Sequence, residues 1–125
     1  MKTCKINYHF IWIPKYRRKV LDNPQVVELI RDTIKELSIQ YQFEIIALEV
    51  MPDHIHLSIS AAPKYSPSEL INKIKGVTGF KIAKQFPQLK AHGKIWTNSY
   101  FCATTGNVST KIIKKYIEEQ WSKIK

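Results

Sequence analysis

The sequence predicts an α+β fold: a four-stranded antiparallel sheet with helices on one face, and one further helix at the C-terminus. Three observations carry this. Short β-branched and aromatic runs alternate with stretches whose apolar residues recur at helical spacing. The two patterns follow one another as β-α-β-β-α-β-α, and the second and third strands are joined by a turn short enough to make them a hairpin. With 125 residues, 44% hydrophobic and 24% charged, the chain reads as one domain over residues 1–125, and not as a disordered or fibrous chain.

The elements follow in order. Residues 6–13, Ile-Asn-Tyr-His-Phe-Ile-Trp-Ile, are mostly β-branched and aromatic and stop at Pro14, as a buried strand does. Asn23-Pro24 opens a helix, with asparagine as cap and proline at the first helical position. Val26, Val27, Ile30, Ile34 and Leu37 then mark its apolar stripe to about residue 40. Residues 44–50 form the second strand, Met51-Pro52-Asp53 the turn, and His54 to Ser60 the third strand. Strict alternation there puts His54, His56, Ser58 and Ser60 on one face and Ile55, Leu57 and Ile59 on the other.

Ser66-Pro67-Ser68-Glu69 is a capping box that starts a helix carrying Leu70, Ile71 and Ile74. This helix is expected to break near Gly76 and Gly79, with a further helical piece at about 80–86 ending at Pro87. Residues 95–104 read as the fourth strand, Gly106-Asn107 as a break, and Ser109 onward as the last helix. The first six elements match the ferredoxin-like split βαβ arrangement. Groups on the free sheet face and on the added helix can then meet.

Charge narrows the function. Twenty Lys+Arg against ten Asp+Glu give a net charge of +10. Residues 1–60 hold eight basic and seven acidic groups, whereas residues 61–125 hold twelve and three. Such an excess suits a polyanionic partner, nucleic acid first, with a merely solvated basic surface as the alternative. No apolar run reaches the roughly 18–20 residues of a membrane span, and residues 1–20 lack a signal-peptide core, so no membrane association is expected. Cys4 and Cys102 form no CxxC, which points to a reduced, cytoplasmic protein and to cysteines that act as small packing or surface residues.

Two constellations can carry chemistry. His54 and His56, at i and i+2 of a strand, project to the same side and can reach one metal ion, although the spacing alone also fits two solvated surface histidines. In the last helix, Ile113, Ile117, Trp121 and Ile124 make the packing stripe, and Tyr116 and Gln120 share a face one turn apart. Tyr116 taken alone fits the edge of that apolar stripe better, the more common fate of a helical tyrosine. There is no phosphate loop, and hence no nucleotide cofactor is expected; nor is there H-E-x-x-H, a nucleophile elbow or a carboxylate pair. His9 and His92 read as packing or hydrogen-bonding residues.

Taken together, Met51-Pro52-Asp53-His54-Ile55-His56-Leu57, Trp96-Thr97-Asn98-Ser99-Tyr100-Phe101, Gly106-Asn107-Val108 and Tyr116-Ile117-Glu118-Glu119-Gln120-Trp121 resemble the single-tyrosine HUH transposases of minimal bacterial and archaeal insertion sequences. The opening Asn7 to Lys15 resembles their first strand, and the resemblance runs in order along nearly the whole chain. It implies that His54, His56 and Gln120 are ligands of a divalent ion, Mg²⁺ or Mn²⁺, and that Tyr116 is the nucleophile. It implies cleavage of single-stranded DNA beside hairpins at insertion-sequence ends, a 5′-phosphotyrosine, and later rejoining. It also implies a homodimer whose two sites each pair the histidines of one subunit with Tyr116 of the other.

The chemistry suits those roles. A bound cation offsets the charge of the phosphodiester, and tyrosine keeps the bond energy in an ester that a 3′-OH can reclaim. Arg17 and Arg18, with Lys73, Lys75, Lys81 and Lys84, are candidates to follow the DNA backbone. Trp12, Tyr65 or Tyr100 are candidates to stack on unpaired bases. Two other readings stand beside this one: a non-catalytic module that binds single-stranded nucleic acid, and a domesticated relative that cuts host repeat hairpins.

Overall fold

The computed structural model of the chain describes residues 4–15, 20–90, 93–104 and 108–123. Arg17, Arg18, His92, Gly106-Asn107 and Ile124, all singled out above, lie outside the described residues. The elements are β1 (Ile6–Trp12), α1 (Pro24–Gln40), β2 (Phe43–Met51), β3 (His54–Ala61), α2 (Pro67–Gln85), a 3-10 turn at Pro87–Lys90, β4 (Phe101–Ala103) and α3 (Thr110–Ser122). The sheet order is β2-β3-β1-β4 with every neighbouring pair antiparallel, the order of a split βαβ sheet.

Strand alternation decides which face each residue serves. Tyr8, Phe10 and Trp12 of β1 join Ile55, Leu57 and Ile59 of β3 beneath α1 and α2. Ile11 and Ile13 point to the opposite face, where Tyr116 and Ile117 of α3 cover them. β1 is therefore buried on both sides, which is why residues 10–13 are apolar without a break. In the ladder, Ile11 pairs with His56 of β3 and with Phe101 of β4. One row across the sheet thus holds His56, Ile11 and Phe101.

The helix starts are set by local chemistry. Asn23 accepts from the backbone N–H of Gln25 at 2.9 Å, with Pro24 in the first turn. Ser66 and Glu69 cap one another reciprocally, each bond 3.0 Å. Ser109 accepts from the N–H of Ile112 at 3.2 Å.

Two elements differ from expectation. First, α2 runs unbroken through Gly76 and Gly79. At Gly79 the reason is close packing: a Cβ there would lie 3.2 Å from Cδ1 of Trp96. Trp96 Nε1 also donates to Oγ1 of Thr78 at 3.1 Å, so tertiary contact offsets the roughly 1 kcal/mol by which glycine weakens a helix. Second, β4 is only three residues long. Residues 95–97 instead meet the chain beyond β1 around a Pro14–Trp96 bridge, with Lys15 N–H on Ile95 O at 2.8 Å and Thr97 N–H on Ile13 O at 3.1 Å. The carbonyls of Thr97 and Ser99 turn away to the ammonium of Lys75, at 2.7 and 2.8 Å, and interrupt the ladder there.

Candidate active site

β3 places His54 and His56 on the face opposite the fully buried Ile55 and Leu57. Asp53, the last residue of the turn, holds Nδ1 of His54 at 2.7 Å. A ring whose Nδ1–H is given to a carboxylate presents the lone pair of Nε2 outward, the state in which imidazole binds metal. Nε2 of His56 lies 3.1 Å from Nδ1 of His9, a buried β1 residue on the same face. Burial first, then neighbouring His9, holds His56 below the ordinary histidine pKa, with Glu49 opposing, so its imidazole is neutral at pH 7.

α3 crosses this same face. Ile113 and Trp121 pack beside Ile11, Ile13 and Ile117. Tyr116 is buried, and its ring meets Phe101 edge-on with centroids 6.1 Å apart. Its phenol oxygen is 3.1 Å from Oγ of Ser99, and the same Oγ donates to Oε1 of Gln120 at 2.7 Å. A serine has one hydroxyl proton. With that proton on Gln120, the phenol donates to Ser99. Burial raises the Tyr116 pKa, and the hydrogen bonds of Ser99 and Thr97 counter it in part. In this position Tyr116 is a neutral phenol.

Lys75 stands behind Ser99. It is buried in α2, and its ammonium clamps the two carbonyls on either side of Asn98. Burial, and secondarily Lys94, pushes its pKa down to about 8. Lys75 is thus turned inward, away from the surface position expected of a residue that follows DNA. Of the other lysines singled out, Lys73 and Lys84 are exposed and Lys81 pairs with Glu36 at 3.1 Å. Trp12 is fully buried, edge-on to Trp96, and has no face free for a base. Tyr65 and Tyr100 are half-buried, each edge-on to a neighbouring ring, Tyr41 and Phe10 respectively.

The structure therefore gathers Tyr116 and Gln120 at Ser99, and sets His54 and His56 on the same face. Ile11 links the two groups, as register partner of His56 and packing partner of Tyr116. No hydrogen bond joins either histidine to Tyr116 or Gln120 among the described residues. Nor does any group of three His, Cys, Asp or Glu side chains there stand close enough to hold a metal. A cation on the two imidazoles would need an amide or water oxygen as well. Sequence reasoning did not assign Ser99, Asp53 or His9 to this site. Only Asp53, next to His54, left a local signal.

Paired imidazoles and a buried tyrosine on one face of a split βαβ sheet, in a strongly basic chain, define a class of small DNA-processing proteins. The chain belongs to the family described as "Transposase IS200 like", whose profile matches residues 2–120. It is 35% identical over 122 residues to the ISDra2 transposase TnpA of Deinococcus radiodurans, covering 95% of this chain and 86% of that one. Over 121 residues it is 29% identical to the transposase for insertion sequence element IS200 of Salmonella typhimurium, covering 94% and 77%. The fold superimposes on the crystal structure of a candidate transposase from Deinococcus radiodurans with a TM-score of 0.85, at 34% identity, over 95% and 93% of the chains. A REP-associated tyrosine transposase bound to a REP hairpin has the same fold, with a TM-score of 0.59 at 22% identity over 94% and 66%. The chain is thus a transposase, acting in DNA transposition. Among the described residues no helix is long and apolar enough to cross a membrane.

Proposed function

We propose that this transposase, a single HUH domain over residues 1–125, binds hairpins at insertion-sequence ends and cuts and rejoins single-stranded DNA beside them. Tyr116 is the nucleophile, and His54, His56 and Gln120 hold a divalent cation. The observation that carries the reading is the shared face: β3 presents both histidines where α3 lays down Tyr116 and Gln120. The printed partner of one similar fold, a REP hairpin, supports hairpin DNA as the class of substrate.

The donor set fits such a cation. His54 is oriented by Asp53, His56 is neutral, and Gln120 offers an amide oxygen once Ser99 releases it. Imidazole is not the preferred partner of Mg²⁺, so Mn²⁺ should bind at least as well. A bound cation would offset the charge on the scissile phosphate and orient it.

The chain's own residues supply the rest. The Tyr116 oxygen attacks phosphorus, the bond from phosphorus to the 3′ oxygen breaks, and a free 3′-OH and a 5′-phosphotyrosine result. Rejoining runs the same exchange in reverse with another 3′-OH, and needs no outside energy source. Tyr116 must first leave the proton it now shares with Ser99, so the docked phenol represents a resting position. A homodimer with composite sites completes the proposal, since α3 rests on its sheet through a small patch that a second copy would also offer.

The test is direct. Labelled single-stranded oligonucleotides carrying the element ends, incubated with the protein and Mn²⁺, should yield a protein–DNA adduct that survives denaturation. Cleaved strands without any adduct would instead mark a hydrolase.

A further inference from the structure

Gly76 lies mid-way along α2, where glycine is among the weakest helix formers. Gly79 has its reason in Trp96. Gly76 has none in the chain's own packing: a Cβ there would meet nothing within 4 Å. Gly76 lines a groove of about 590 Å³ between α2 and residues 93–98, within the size range of small-ligand sites, and also borders a second hollow beside Tyr41 and Tyr65.

The groove has the chemistry of a nucleotide cradle. Its floor is apolar, with Trp96 at the base, and Phe80 stands at its rim with its side chain 67% exposed. Lys90 and Lys94 flank it, and none of the described residues that line it is acidic. An exposed aromatic ring beside cations and a bare stretch of helix suits a base and its phosphate better than an apolar peptide.

It also adjoins the nucleophile. Thr97 lines the groove, and Ser99, two residues on, holds Tyr116. Two residues of extended chain span at most about 7 Å, close to the step between neighbouring nucleotides of a stretched strand. A strand that passes Ser99 could therefore place a nearby base in the groove.

We propose that this groove is a nucleotide subsite that takes one unpaired base of the DNA strand, laid over Gly76 against Phe80, with a flanking phosphate on Lys90 and Lys94. The proposal rests on the reading that the chain acts on single-stranded DNA. It commits to a base rather than to the sugar-phosphate backbone alone, because the floor is apolar.

The test uses the full chain, Gly76→Leu and Phe80→Ala, with an oligonucleotide carrying an element-end hairpin and its unpaired flank. In a companion series each flank nucleotide is replaced in turn by an abasic one. Leucine is a strong helix former and a Cβ at 76 meets nothing within 4 Å, so Gly76→Leu should melt at or above the wild-type temperature. Its affinity for the intact oligonucleotide should nevertheless fall about tenfold, the size of one lost base-stacking contact. One abasic position should weaken wild-type binding by a similar factor and have no further effect on Gly76→Leu. Phe80→Ala should reproduce the loss at that same position. Unchanged affinity of a folded Gly76→Leu would overturn the proposal. So would a loss of affinity with an unaltered abasic pattern, which would assign the groove to backbone. Failure of the underlying reading gives a different result: wild-type protein would bind none of these oligonucleotides.

Discussion

Ser99 donates its single hydroxyl proton to Oε1 of Gln120 across 2.7 Å, and this bond ties β4's approach to the helix that carries Tyr116. Because that proton is committed, the phenol of Tyr116 donates to Oγ of Ser99 at 3.1 Å. One side chain thus occupies both the phenol proton of Tyr116 and a lone pair of the amide proposed to bind metal. Lys75 fixes Ser99 from behind, through the carbonyls of residues 97 and 99.

Removing this hydroxyl should loosen α3 selectively. Ser99→Ala leaves Tyr116 and Gln120 without their shared partner, a loss on the order of 1 kcal/mol. Amide hydrogen exchange should quicken in Thr110–Ser122 and stay unchanged in α1 and α2, whose core does not include Ser99. Equal protection of α3 in both proteins would show that the apolar patch alone holds the helix.

Tyr116→Phe removes one oxygen and should abolish the covalent adduct while hairpin binding persists. The fold should lose no more than about 1.5 kcal/mol, the worth of a typical hydrogen bond. His54→Ala, His56→Ala or EDTA should stop cleavage with little effect on melting, because stability resides in the opposite Ile55, Leu57 and Ile59 face. Binding of Mn²⁺, followed by electron paramagnetic resonance, should weaken in both histidine variants. Full activity in EDTA would remove the metal from the mechanism.

Lys75 should leave a signature in the pH dependence of stability. Its folded pKa is about 8 against an ordinary 10.5, so between those values the unfolded chain binds the proton more tightly. Stability attributable to Lys75 therefore rises with pH across that window and is flat below it. Relative to Lys75→Met, the wild type should gain on the order of 2 kcal/mol between pH 7.5 and 10 in denaturant titrations. Tyr116 and Cys102, whose pKa values burial raises, lose stability on the alkaline side in both proteins and cancel from the difference. An identical pH slope in the two proteins would mean that the ammonium is not desolvated.

What was legible in the sequence was what periodicity and caps decide. The alternation of His54–Ser60 put both histidines on the face they occupy, and the Asn23, Ser66 and Ser109 signals start the helices where they begin. What was not legible depends on contacts made far along the chain. Gly76 and Gly79 read as a helix break because nothing local shows that Trp96 lies against residue 79. Lys75 read as a surface cation because its carbonyl partners come from residues 97 and 99. Those same bonds cut short the strand expected at 95–104. Tyr116 and Gln120 were legible through helical spacing together with family resemblance, whereas Ser99, which joins them, carries no spacing signal at all.

The last prediction concerns which subunit's helix serves which sheet. In the structure α3 lies on its own sheet, where Ile11, Ile13, Tyr116 and Ile117 form a second, smaller apolar cluster. Any second copy presents the same Ile11 and Ile13 surface, and exchange of an identical element is a low-cost route to a two-fold dimer. Residues 104–109 join β4 to α3, and six residues reach at most about 20 Å, enough for the helix to cross to an adjoining subunit. If the proposed composite sites form, a dimer of one His54→Ala/His56→Ala subunit and one Tyr116→Phe subunit should regain a working site. That site would combine the intact histidines of the second subunit with the intact tyrosine of the first. If each subunit uses its own helix, as the resting arrangement has it, both sites in that mixed dimer carry a defect. Purified heterodimers with distinct affinity tags, assayed for the covalent adduct against each parent homodimer, separate the two cases. Recovery toward half of wild-type yield is expected, and no adduct above the parents would place each site within one subunit.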